Sequence, residues 1–266
     1  MTSDAHLRYV LRLADNALIL GQRNAEWTGH GPVLEEDIAL SNLSLDLIGQ
    51  ARLLYTHAGQ IEGALTGTPH TEDDYAYWRP ESAFRNYTLL ELPHAGPLVA
   101  TAATARDYAV TIVRHFLYAA LMVPMWEALM ASTDAELAAI AAKSVKEMRY
   151  HLAHTRDWLV RFGDGTEVSH AHAQAALDWL MPYTNELFAT DEVENAMADA
   201  GIGVRPAELR DVWEATVRDA LDEATLTWPE PGPYVSTGKQ GVHSEHMGYL
   251  LAEMQGLARQ FPGASW

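Results

Sequence analysis

DAELAAIAAKSVKEMRYHLAHTRDWLVRFG, residues 134–163, decides the fold class. Leu137, Ile140, Ala141, Ser144, Val145, Met148, Leu152, Thr155, Trp158 and Leu159 recur at steps of three and four, which places them along one face of a long helix. The run starts behind Ser132, Thr133 and Asp134, residue types whose side chains accept from the free N–H groups of a first helical turn. It stops at Gly163 and Gly165.

Three similar runs precede it. One spans about 7–27 and ends at Gly29, His30, Gly31 and Pro32; the next spans about 34–61 and ends among Gly63, Gly67 and Pro69. A long irregular connection with Pro80, Pro93, Gly96 and Pro97 leads to a third run, about Leu98 to Met130. Two helical hairpins joined by one long crossover is the connectivity of ferritin-like four-helix bundles. The expected architecture is therefore all-α, a single domain over 1–266 with a core bundle at about 5–165. Shorter helices follow at about 171–189, 206–226 and 244–261. The turn-rich stretch 227–241, with Pro229, Pro231, Gly232, Pro233 and Gly238, reads as an extended arm.

Composition narrows the function classes. The chain has 266 residues, enough for a large core. It has no cysteine, which excludes disulfides, thiolate zinc sites, Fe–S clusters and cysteine nucleophiles. Acids outnumber bases 36 to 18, a formal charge of −18, and no basic stripe stands apart, so neither nucleic acid nor an anionic membrane is an expected partner. Asp4 and Asp15 interrupt the N-terminal apolar run, which does not read as a signal peptide. Arg114, His115, Pro124 and Glu127 interrupt the apolar run from Tyr108 to Met130, and no membrane span is expected. A cytoplasmic setting fits these features.

A ferritin-like di-iron site takes a carboxylate from each of two helices and a Glu-x-x-His from each of the other two. Asp46 is followed at i+3 by Gly49, and Glu147 by Tyr150. Folding each hairpin about its turn sets Asp46 opposite about Gln22, and Glu147 opposite about Ala119. The set Gln22, Asp46, Gly49, Ala119, Glu147 and Tyr150 holds too little anionic oxygen for two irons, the pattern of a dismantled site. Asp46 and Glu147 are instead expected to pair with Arg52 or Arg149, or with each other through polar neighbours inside the bundle, at a cost of about 3–5 kcal/mol if a buried charge pair is broken. The remaining metal reading is Glu147, His151 and His154 on one helix. His243, Glu245 and His246 lack the zinc-peptidase spacing and read as surface. Gly232 to Lys239 lacks both the strand and the Ser or Thr of a phosphate loop.

Leu18 to Arg23 with Glu26-Trp27-Thr28-Gly29-His30, Leu45 to Arg52, Lys146 to Leu152, and Leu251 to Gln255 with Pro262-Gly263 and Trp266 resemble, in order and over essentially the whole chain, the C subunits of bacterial phenylacetyl-CoA epoxidases. The sequence departs at Ala119, where an acid is expected in some members. The resemblance implies a role in aerobic phenylacetate catabolism. A catalytic A subunit would carry the di-iron centre, a reductase would deliver electrons from NADPH, and this chain would be a non-catalytic, structural partner of the A subunit with no cofactor of its own. Self-association stays open. The competing expectations are a self-contained metal-dependent oxygenase using Glu147 and His151, and a free-standing helical binding protein.

Overall fold

A computed structural model describes residues 2–99 and 105–264. Among them the regular structure is helical throughout: α1 Thr2–Ala25, α2 Leu34–Thr66, α3 Thr88–Glu91, α4 Tyr108–Leu129, α5 Ala135–Gly163, α6 Glu167–Leu180, α7 Asn185–Phe188, α8 Glu192–Asp199, α9 Arg210–Glu223 and α10 Glu245–Gln260. The fold is all-α, consistent with the ferritin-like bundle that the helix pattern predicts.

Asp134 caps α5, its side chain accepting from the N–H groups of Glu136 and Leu137 at 3.0 and 3.1 Å. The buried face of α5 runs through Leu137, Ile140, Ala141, Ser144, Val145, Met148, His151, Thr155 and Leu159. It differs from the expected stripe in one respect: His151 is buried, whereas Leu152 and Trp158 are half-buried. The third run starts later than expected, at Tyr108 behind the cap Asp107, and residues 100–104 of that expectation lie outside the described ones, as does Trp266. Sequence periodicity also misses α8, which is opened by a reciprocal cap between Asp191 and Glu194.

The chain divides into two compact units, Met1–Leu92 with Thr237–Trp266, and Pro93–Ser236. Each holds one long hairpin. In the first, Gly21 lets α1 approach α2 closely, because a Cβ there would lie 3.2 Å from the side chains of Leu47 and Ile48. Helix α10 returns to this unit, where the Gln255 amide donates to the carbonyls of Ala76 and Arg79 at 2.9 and 3.2 Å. In the second unit, α6 and α9 pack on the α4–α5 hairpin, and the indole of buried Trp213 donates to the Leu117 carbonyl at 2.9 Å. The arm fastens here too: the Asn185 amide donates to the carbonyls of Gly232 and Tyr234 at 2.9 and 2.8 Å.

Helix α4 is long and apolar enough to cross a membrane, with a mean hydropathy of 1.4, despite the charged residues expected to forbid it. However, 89% of that window is buried inside the protein, and Arg114 and His115 are fully buried within it. A core helix packed on several sides carries the same apolar composition as a span.

Candidate functional site

The hairpin registers come out as the sequence predicts. His115 and His151, equidistant from Thr133, meet with Nε2 and Nδ1 3.1 Å apart, and the same register sets Ala119 level with Glu147. In the other unit, the contact of Gly21 with Leu47 and Ile48 sets Gln22 within about one residue of Asp46.

Of the predicted ligand positions, Ala119 alone is buried. Glu147 pairs with Lys143 one turn back, at 2.8 Å, and Tyr150 is exposed. Arg149 pairs with Glu127 and Arg52 with Glu72, at 2.7 and 2.9 Å, so the partners expected for Glu147 and Asp46 are engaged elsewhere. Lys143 is more than half exposed and Glu147 is not buried. A pair in that setting is worth no more than about 1 kcal/mol. Gln22 and Asp46 are half-buried, and a Cβ at Gly49 would meet nothing within 4 Å, so crowding is not what keeps a histidine from that position. Ala119 is buried but offers only a methyl group.

On α2 the buried positions next to Asp46 and Gly49 are Leu47 and Gln50, and on α5 those next to Glu147 and Tyr150 are Met148 and His151. On α5 the inward pair is one residue beyond the one predicted from Glu147. Of the predicted trio Glu147, His151 and His154, His151 is bonded to His115 in the core and Glu147 to a surface lysine. Burial, and then the neighbouring His151, Arg114 and His154, hold the His115 imidazole well below the usual histidine pKa, so it is neutral near pH 7.

The model of the phenylacetic acid catabolic protein family matches residues 1–266. The chain belongs to that family. It is 44% identical over 258 residues to the C subunit of 1,2-phenylacetyl-CoA epoxidase from Escherichia coli (strain K12), covering 97% of this chain and 98% of that protein. As a phenylacetic acid catabolic protein it has a role in phenylacetate catabolism. The predicted positions Gln22, Asp46, Gly49, Ala119, Glu147 and Tyr150 supply two carboxylates, an amide and a phenol, a donor set that does not fit a di-iron centre, whose ions need several anionic oxygens.

This family member does bury carboxylates, but commits them to the fold. Asp15 on α1 is fully buried. It accepts from the Tyr55 hydroxyl at 2.6 Å, the Arg85 backbone N–H at 2.8 Å and both terminal nitrogens of the Arg79 guanidinium. Burial opposes the Arg79 cation, but Asp15 outweighs it and the pKa is raised; burial and Asp15 together push the Tyr55 hydroxyl well up. Glu91 is equally buried and accepts from the Asn86 amide at 2.9 Å, the Ser244 N–H at 2.5 Å and the His243 ring at 2.7 Å. His243, predicted to be a surface residue, has a fully buried side chain.

Proposed function

We propose that the chain is the non-catalytic, structural subunit of a phenylacetyl-CoA 1,2-epoxidase, pairing with a catalytic subunit that carries the di-iron centre and receives electrons from NADPH through a reductase. The observation that carries this reading is how the acids are placed: Glu147 is not buried and pairs with Lys143, while the fully buried Asp15 and Glu91 are held by Tyr55 and Arg79 and by Asn86 and His243. The name of the Escherichia coli relative, which is one subunit of an epoxidase, supports a complex as the place of action.

A structural subunit needs a surface for its partner. Leu34, Ile38 and Leu45 form a strip on the outer side of α2, exposed by 72%, 53% and 65%. Exposed aliphatic side chains on one face of a helix are the candidate contact for a partner. Helix α1 presents no equivalent among its described residues, because its apolar residues from Val10 onward are buried apart from half-buried Leu11 and Ala25. Co-expression with the catalytic subunit is expected to give one co-eluting complex on size exclusion. Leu34→Glu with Leu45→Glu should abolish co-elution while leaving the helical signal of the isolated chain unchanged. Failure of the unaltered chain to co-elute refutes the pairing.

A further inference from the structure

The segment that carries α10 back to the first unit is seated by unusually close backbone contacts. The Gly238 N–H donates to the Thr88 hydroxyl at 3.1 Å, and a Cβ on Gly238 would lie 2.4 Å from the Asn86 carbonyl oxygen. Gly241 has φ +80° and passes so near residue 82 that a Cβ would lie 2.5 Å from its carbonyl oxygen. At the end of this seam, where Ser244 caps α10, stands His243.

Both nitrogens of its ring face acceptors. Nδ1 lies 2.7 Å from the Glu91 carboxylate, and Nε2 lies 3.2 Å from the backbone carbonyl of Phe84. A neutral imidazole has one N–H and can serve only one of them. Glu91 stands as the acceptor of this pair, since its oxygens also accept from the Asn86 amide and from the Ser244 N–H. The arrangement therefore calls for an imidazolium against a carboxylate, both side chains fully buried.

We propose that His243 is a pH-operated latch: protonated, it fastens the C-terminal segment 237–260 to residues 84–91, and on losing its proton it gives up one of its two bonds and loosens that seam. The charged groups around it come from every neighbouring element. Glu91 on α3 and Glu81 favour the cation. Arg23 on α1 acts on Glu91 and His246, but is itself bound to Glu26 and to the Glu91 carbonyl at 2.5 and 2.6 Å. Arg85 donates to the carbonyls of Ser82 and Phe84, and Lys239 lies over the Tyr87 ring. On α10 stand Glu245, His246 and Glu253, of which Glu253 acts on Arg23. Burial works against the charge on His243, but the bond and charge of Glu91 outweigh it, and the pKa is raised.

The sign follows from linkage. A raised folded-state pKa gives stabilisation that is complete below about pH 6.5, the value of an unfolded histidine, and is lost as pH rises to the folded value. Amide hydrogen exchange on the full chain, corrected for the intrinsic pH dependence of exchange, reads the opening constant of residues 242–247. That constant should rise by up to tenfold per pH unit above about 6.5 and then level off. The plateau should begin at the pKa that NMR reports for the His243 ring. His243→Gln should make the opening constant independent of pH over the same range. A His243 pKa at or below 6.5, a flat opening profile in the unaltered chain, or an unchanged profile in His243→Gln overturns the proposal; if the variant does not fold, the ring titration and the unaltered profile decide.

Discussion

Asp15→Ala is expected to cost the folded chain about 3–5 kcal/mol, read from the urea midpoint and slope. The substitution removes the carboxylate but leaves the Arg79 guanidinium, the Tyr55 hydroxyl and the Arg85 N–H facing the space it filled. Arg79 keeps a bond to the Tyr75 carbonyl at 2.7 Å and its place 4.2 Å over the Phe84 ring. Those contacts do not neutralise a guanidinium that is largely out of water. An uncompensated buried cation is more costly than the intact pair is stabilising, so the loss exceeds the net worth of the pair. A change below about 1 kcal/mol would mean that water reaches Arg79 as soon as Asp15 is gone.

Gly163→Ala should be the most damaging small substitution in the second unit, at about 3 kcal/mol, the top of the usual range for overpacking. A Cβ at 163 would lie 2.0 Å from the carbonyl oxygen of Ala224, 2.8 Å from its carbonyl carbon and 2.9 Å from its Cβ. The obstacle is mainly backbone, so no rotamer change relieves it, and the chain on the other side is already constrained: Thr225 holds φ +57° and its hydroxyl reaches toward the Gly163 carbonyl. The matched control is Gly49→Ala, where the added methyl group meets nothing within 4 Å inside a regular helix. There the substitution should stabilise the chain by about 0.5–1 kcal/mol, through helix propensity alone. Equal effects at the two positions would contradict the close approach at Gly163.

Both residues are visible in the sequence, and neither role is. Asp15 reads as an acid that spoils a signal peptide, because its partner Arg79 lies in the irregular connection where periodicity carries no information. Gly163 reads as a helix stop, which it is, while its contact with Ala224 depends on how α9 packs. The long helices, the cap at Asp134 and the register of both hairpins follow from local pattern and turn position. On α5 a search for carboxylates selects Glu147, whereas the buried positions, Met148 and His151, are decided by what lies across the hairpin, where His115 meets His151. His243 is misplaced for a similar reason: Glu91 is 152 residues away in sequence, and only the tertiary fold brings them together.

The claim that this chain supports chemistry without performing it is tested most directly by epoxidase turnover of phenylacetyl-CoA with the catalytic subunit and reductase, measured with and without this chain. The account predicts no turnover by this chain with the reductase alone, and activity of the catalytic subunit that depends on its presence. Full activity and solubility of the catalytic subunit without this chain, or turnover by this chain without the catalytic subunit, would contradict it.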